Sequence, residues 1–156
     1  MRDRASGLVM HISSLPGPYG IGDLGQGAYD FADFLKRTGT KYWQILPLGI
    51  TGYGDSPYQS FSAFAGNPYF IDLNELIEAG YLTKAEVARA DLGEDPERID
   101  YGRLYDNKMP LLQKAWSNGR DALMRRLKTF LKNEDWLWDF ALFMAIKTDQ
   151  GGTSWQ

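Results

Sequence analysis

The chain has 156 residues, of which 44% are hydrophobic and 24% are charged, and its formal net charge at pH 7 is −3. These values are typical of a globular domain and exclude disordered and fibrous classes. The small net charge and the lack of long blocks of one sign do not indicate a nucleic-acid surface.

Several functional classes are also disfavoured by residues that are missing or scarce. The sequence contains no cysteine, which excludes disulfides, thiolate metal sites and cysteine nucleophiles, and its single histidine leaves little room for a metal centre. We therefore expect no metal and no organic cofactor. No apolar run approaches about 18 residues and the first residues lack the apolar core of a signal peptide, so we expect a cytoplasmic protein without a membrane partner.

The first 46 residues have the pattern of a βαβ unit. Residues 7–12 form a short apolar run that predicts a buried strand, and residues 41–46 predict a second strand that Pro47 ends. Between them, Gln26–Arg37 has apolar residues at helical spacing, and Gly39 follows where a terminating glycine belongs. This order predicts two parallel strands joined by a right-handed crossover.

The turn-rich residues 13–25 contain Gly20, Gly22 and Gly25, which match the G-x-G-x-x-G pattern of dinucleotide sites. Two observations disfavour such a site. The glycines begin well after the first strand, and Asp23 beside the helix start would repel a pyrophosphate. We expect these glycines to shape a loop over the sheet, and a nucleotide-binding domain remains a third hypothesis.

Residues 46–72 form the most unusual stretch. It is longer than the about 12–15 residues beyond which loops are usually functional or disordered, and its many aromatic residues disfavour disorder. Aromatic rings can cover the C–H surface of a sugar, while hydroxyl and amide side chains bind its hydroxyl groups. We interpret this stretch as a site for a neutral polyhydroxy ligand; the alternative is a loop held by its own packed aromatics.

The remaining residues have helical patterns. Residues 69–73 predict a short extended piece, Asn74 an N-cap, and Thr83 with Glu86 the capping box of a further short helix.

Three longer helices are predicted after an acidic connector. They cover residues 103–116, with Pro110 limiting or kinking the middle, residues 119–131, and a last helix capped by Asn133 and ended by Gly151 and Gly152. No further strand is predicted. Because two parallel strands do not make a sheet that stands alone, we expect the chain to be the opening of a larger parallel α/β fold, that is, a fragment.

Three stretches resemble one family closely, namely residues 13–25, residues 42–49 and residues 54–68, with weaker matches at residues 100–102 and 141–145. The family is that of the 4-α-glucanotransferases, or amylomaltases, of the α-amylase clan. The resemblance implies an α/β fold that is the N-terminal part of a (β/α)8 TIM barrel, with strands 1 and 2 followed by a mainly helical inserted subdomain. Residues 1–74 would start the catalytic barrel, and residues 75–156 would form the truncated helical insertion.

The resemblance also implies an activity and a set of contacts. Family members transfer α-1,4-glucan segments between maltodextrins by a retaining double displacement, which needs a nucleophile and a general acid/base. Both are expected downstream of Gln156, so this chain carries no catalytic residue and is predicted to be inactive by itself. The predicted substrate-binding residues are Tyr58, Ser56, Asp55, Gln59, Tyr53, Tyr101 and His11.

Two of these residues keep alternative interpretations. Asp55 precedes Ser56 and Pro57, a context that favours a turn former over a catalytic carboxylate. His11, at the end of the first strand, is either a sugar contact or a partly buried structural histidine. For the whole chain, the alternative to a transferase is a stand-alone, non-catalytic carbohydrate-binding module. The sequence does not indicate an oligomeric state.

Overall fold

The structure is a computed structural model that describes residues 4–52 and 54–153. Strand β1 (Gly7–Val9) pairs in parallel with β2 (Tyr42–Gln44), with Leu8 opposite Trp43, and helix α1 (Gln26–Arg37) connects them. The predicted parallel pair and the predicted helix are therefore confirmed. Both strands are shorter than predicted, and Ile12 lies instead in a buried 3₁₀ turn, Ile12–Ser14.

The prediction that β1 is buried is wrong. Leu8 is 42% exposed and Val9 is 62% exposed. Helix α1 contacts the sheet through the edge-to-face pair of Phe31 and Trp43, whose ring centres lie 4.9 Å apart. The described part of the chain adds no third strand to this sheet. Within that part, no further strand covers the remaining apolar surface of β1 and β2.

Residues 46–72 fold back on themselves instead of crossing the surface as an open loop. Antiparallel bridges join Gly49 to Gly66 and Thr51 to Ser60. The Asn67 N–H donates to the Leu48 carbonyl at 2.7 Å. The stretch predicted to be extended contains a 3₁₀ turn, Pro68–Phe70, which begins where the Asn67 side chain accepts a hydrogen bond from the Tyr69 N–H.

Two short helices follow, α2 (Leu73–Glu78) and α3 (Lys84–Arg89). Asn74 is not the N-cap of α2, because Asp72 occupies that position and accepts from the Asn74 N–H at 2.8 Å. Aspartate and asparagine both cap well, so Asp72 and Asn74, two positions apart, cannot be ranked from sequence. The capping box predicted for α3 is confirmed, with Thr83 and Glu86 bonding each other's backbone N–H groups.

Residues 101–133 form one helical segment instead of two separate helices. It comprises α4 (Tyr101–Arg103), a π-helical turn (Leu104–Lys108) and α5 (Met109–Asn133). Pro110 lies in the first turn of α5, directly after the π-helical turn, so the regular α-helical bonding is interrupted next to it, as expected of a proline that limits a helix. Gly119 does not begin a helix, because it is buried mid-helix where a Cβ atom would lie within 3.0 Å of the Tyr81 ring.

The last helix, α6 (Trp136–Asp149), ends as predicted at Gly151 and Gly152, which have φ values of 66° and 77°. Asn133 does not cap it, since this residue belongs to α5. The neighbouring Glu134 carboxylate instead accepts a hydrogen bond from the Trp136 indole N–H at 2.8 Å. None of the helices in the two described ranges is both long and apolar enough to cross a membrane.

The hydrophobic core lies beside the sheet, under the loops and short helices. Leu73 and Leu104 are fully buried. Around them the core contains Ile12, Leu15, Ile21, Ala28, Phe70, Leu82, Val87, Leu92, Leu111 and Ala115. The core thus joins the turn-rich residues 13–25, the end of residues 46–72 and the helical segment.

The glycines of the G-x-G-x-x-G pattern are used for close packing. A Cβ atom at Gly20 would lie 1.7 Å from the Leu92 carbonyl oxygen, and one at Gly22 would lie 2.1 Å from that of Ile12. Asp23, directly after Gly22, is buried. Backbone occupies the space that a phosphate group would need beside these glycines, which favours the structural interpretation of the pattern over a nucleotide site.

This packing predicts different costs for two glycines that share a backbone conformation. Gly20 and Gly39 both have a φ of 72°, but a Cβ atom at Gly39 would meet nothing within 4 Å. Gly39→Ala should cost about 1–2 kcal/mol from the left-handed conformation alone. Gly20→Ala should cost about 1–3 kcal/mol more, because it also overpacks the contact with Leu92. Urea unfolding followed by circular dichroism measures both, and equal costs would contradict the packing role.

Candidate functional site

A turn near the tip of residues 46–72 presents Tyr58 to solvent. The Ser56 hydroxyl oxygen accepts a hydrogen bond from the Tyr58 N–H at 3.3 Å, and the Gln59 N–H donates to the Ser56 carbonyl at 3.0 Å. Asp55 precedes the turn with a φ of 54°, a left-handed conformation that aspartate adopts more often than most residues. The turn therefore has a defined geometry, while the Tyr58 side chain is 72% exposed and open to a ligand.

The phenylalanines of the same stretch pack against α6. Phe61 lies 6.1 Å from Phe143, and Phe64 stacks on Trp136 at 5.7 Å between ring centres. The Lys147 ammonium lies 5.0 Å from the centre of the Phe61 ring. Phe61 and Phe64 thus contact α6, and Tyr58 presents its ring to solvent, although Phe64 is also 72% exposed.

Three of the predicted site residues come together around a small cavity of about 130 Å³. They are His11 from the end of β1, Asp55 from the loop and Tyr101 from α4. Polar and apolar groups complete the lining, among them Ser13, Ser14, Thr51, Pro57, Asn67 and Phe70. The cavity therefore combines residues from three regions that are far apart in sequence.

His11 supplies an unpaired polar atom to this region. Its ring meets Phe70 edge to face at 5.4 Å, and burial lowers the pKa of the imidazole, which favours its neutral form. Nδ1 is buried and has no hydrogen-bond partner among the described residues. A neutral imidazole can donate or accept one hydrogen bond through this atom, which suits a hydroxyl group.

Asp55 sets the local electrostatics with two tyrosines. The rings of Tyr69 and Tyr101 lie 6.2 Å apart. Burial, with the nearby negative charge of Asp55, raises the pKa of Tyr69 to about 12 and also raises the pKa of Tyr101. Both phenols therefore stay protonated at neutral pH and remain hydrogen-bond donors.

A second, wider cavity of about 480 Å³ adjoins the first. The two share Thr51, Asp55, Asn67 and Tyr101, and the wider one continues past Tyr105 to α6. Together they form a groove between the loop and the helical segment.

The predicted site residues thus fall into two groups. His11, Asp55 and Tyr101 line the small cavity, whereas Ser56, Tyr58 and Gln59 form the adjacent turn and do not line either cavity. Tyr53, the seventh predicted residue, lies outside the described residues.

Sequence analysis missed two polar residues of the site. Asn67 is buried and lines both cavities, and Tyr69 lines the wider one beside Tyr101. Asn67 precedes Pro68, which is a signal for a turn start that could have indicated a capping side chain.

Over the two described ranges, no group of three or more carboxylate or imidazole side chains could hold a metal ion.

Comparison with known proteins identifies the family. The family model described as 4-alpha-glucanotransferase matches residues 10–156. A 4-alpha-glucanotransferase of Streptococcus pneumoniae is 53% identical over 99% of this chain and 31% of its own length. One of Thermus thermophilus is 52% identical over 97% of this chain and 30% of its own. The chain thus spans about 30% of the length of the curated relatives it matches.

A solved structure gives the same result. The amylomaltase of Streptococcus agalactiae, in complex with acarbose, superimposes with a TM-score of 0.93 at 49% identity, over 97% of this chain and 31% of that chain. These matches define the class of the chain as that of the glycosyl-transferring enzymes. The chain belongs to the 4-alpha-glucanotransferase family, which confirms the resemblance found in the sequence.

The electrostatic link between Asp55 and the tyrosines can be tested directly. Asp55→Asn should lower the pKa of both Tyr69 and Tyr101, because a negative charge that disfavours the phenolate is removed. Neither value should return to that of free tyrosine, since burial remains. NMR titration of ¹³C-labelled tyrosine rings measures both, with Asp139→Asn on α6 as the control. Unchanged values in the Asp55 variant would contradict the placement of its carboxylate.

Proposed function

We propose that the protein to which these residues belong is a 4-α-glucanotransferase that transfers α-1,4-glucan segments between maltodextrins. The observation that carries the proposal is the family match along residues 10–156, which includes the loop with its exposed Tyr58 and the adjoining groove. In this proposal the chain supplies sugar contacts at the carboxyl ends of two parallel strands, where ligands bind in parallel α/β folds.

We further propose that β1 and β2 are the first two strands of a (β/α)8 barrel. Residues 1–74 then start the barrel and residues 75–156 form a helical insertion. The parallel pairing of β1 with β2 supports this assignment, as does the exposure of Leu8 and Val9, which a closed barrel would cover with further strands.

The chemistry requires more than these residues. A retaining transfer needs two carboxyl groups about 5–5.5 Å apart, one as nucleophile and one as acid/base. Asp55 is the acid that lines both cavities, and no second carboxylate among the described residues lines the small one, so Asp55 has no partner there for this chemistry. The proposal therefore assigns both catalytic carboxylates to residues outside this chain, and it requires no metal or organic cofactor.

Each predicted contact has a proposed role in binding. Tyr58 stacks on a glucosyl ring, and Asp55, Ser56 and Gln59 bind sugar hydroxyl groups beside it. His11 donates or accepts one hydrogen bond from the cavity floor. Tyr101, with Tyr53, guides a longer glucan along the groove. The substrate is then a neutral maltodextrin in the cytoplasm.

Removal of the Tyr58 ring should weaken glucan use. The test protein is a hybrid in which residues 10–156 replace the matching segment of the Streptococcus agalactiae amylomaltase. Tyr58→Ala in this hybrid should lower kcat/KM for maltotriose by about tenfold, equivalent to about 1.4 kcal/mol, the size of an aromatic contact. The matched control is Tyr29→Ala, which removes a similarly exposed ring from α1 and should leave the rate unchanged. Equal losses in both variants would contradict the role of Tyr58.

The 156-residue chain alone should not catalyse transfer. Incubation with maltotriose should yield neither glucose nor longer dextrins by chromatography, because the two catalytic carboxylates are absent. Disproportionation by the purified chain would overturn that assignment. A different pair of results favours a non-catalytic binding module. In that case the chain binds maltoheptaose, and the hybrid has no transferase activity although its circular dichroism is native-like.

A further inference from the structure

Lys108 is buried in a way that needs explanation. It lies at the end of the π-helical turn Leu104–Lys108 and is fully buried, although lysine is rarely buried without partners. A buried ammonium group loses its hydration, and this burial lowers the pKa of Lys108 to about 8. Single π-helical turns inside helices are frequent at functional sites.

The Lys108 ammonium group connects to the end of the proposed substrate loop. Nζ donates a hydrogen bond of 2.8 Å to the Tyr69 carbonyl, in the 3₁₀ turn Pro68–Phe70. The next residue, Phe70, accepts a hydrogen bond from the Leu24 N–H at 3.0 Å. Lys108 thus holds the point where the loop meets the segment before α1.

Two buried carboxylates oppose the effect of burial on Lys108. The negative charges of Asp23 and Asp72 raise its pKa, without forming a direct ion pair with it. Asp23 Oδ1 accepts from the Gly25 N–H, and Asp72 caps α2, so both acids are fixed by backbone. Asp23 Oδ2 is buried without a hydrogen-bond partner among the described residues, and Glu75 adds a further negative charge near Asp23.

The turn held by Lys108 also carries residues of the groove. The Tyr69 ring packs against Tyr101, and Asn67, whose side chain starts the turn, lines both cavities. A movement of the Tyr69 carbonyl would therefore displace residues on the floor of the groove.

We propose that Lys108 is a positioning residue that fixes the end of the substrate loop, through its hydrogen bond to the Tyr69 carbonyl and its attraction to Asp23 and Asp72. Its effect on glucan binding rests on the proposed function, whereas its effect on the loop does not. Lys108 lines neither of the two cavities of the site. It acts only through Tyr69 and its neighbours.

The first experiment follows the loop without a ligand. In the ¹H–¹⁵N spectrum of the 156-residue chain, the Phe70 amide belongs to the same peptide unit as the Tyr69 carbonyl. It should shift with a midpoint near pH 8 as the Lys108 ammonium loses its proton. The neighbouring His11 does not interfere, because burial lowers its pKa below the ordinary value of 6.5.

Three variants assign this transition. Lys108→Met keeps the length of the side chain and should abolish it, whereas Lys128→Met, on the exposed side of α5, should leave it unchanged. Asp23→Asn should move the midpoint to lower pH, because it removes a charge that favours the ammonium. The Asp23→Asn variant tests the inference even if Lys108→Met fails to fold. A Phe70 amide that does not titrate, or that titrates alike in Lys108→Met or Asp23→Asn, would overturn the inference.

The second experiment measures binding of acarbose by calorimetry. Lys108→Met should bind about tenfold more weakly than wild type at pH 7. Wild-type affinity should fall between pH 7 and pH 9, while that of the variant should not. Equal affinities of the two proteins would overturn the role in binding. If the wild-type chain shows the Phe70 transition but the hybrid that carries residues 10–156 does not bind acarbose, the proposed function fails and the positioning of the loop stands.

Discussion

A pair of three-residue parallel strands cannot bury its own apolar surface, and the rest of the structure follows from that constraint. The described core contains no residue of β1 and is built instead from loops, short helices and one face of α5. The core therefore lies where residues 46–72 end. Because the loop is anchored to this core by Phe70 and Leu73, its conformation depends on the helical segment more than on the sheet.

Local signals predicted the elements that depend on neighbouring residues alone. The bounds of α1, the Thr83 capping box and the end of α6 were read correctly, since periodicity, caps and terminating glycines act within one or two turns. Predictions failed where distant contacts decide. Gly119 was read as a helix start, but it lies inside α5 because Tyr81, 38 residues earlier in the chain, needs the space beside it. The exposure of β1 likewise depends on what covers the sheet, which no local pattern records.

The candidate site was predicted in outline for a similar reason. Length and aromatic content indicated a ligand loop, and the family motif drew attention to Tyr58 and Asp55. Composition could not show that Phe61 and Phe64 contact α6, because it does not separate them from the other aromatic residues of the stretch. These contacts favour in part the interpretation of a loop held by packed aromatics, and the ligand site stays a prediction. Lys108 was missed altogether, since a lysine in a helical pattern is normally solvated, and only the tertiary structure brings Tyr69, Asp23 and Asp72 around it.

The loop gains from being ordered before any ligand arrives. Binding of a flexible glucan already costs the conformational freedom of the sugar chain, and a disordered loop would add its own ordering cost. Here the bridges from Gly49 to Gly66 and from Thr51 to Ser60 fix the loop through backbone. Polar contacts at Asn67 and Tyr69 fix its end. The exposed side chain of Tyr58 then still has rotational freedom to lose when a ligand binds. Fixing its two side-chain torsion angles costs little conformational entropy for the large contact surface of the ring.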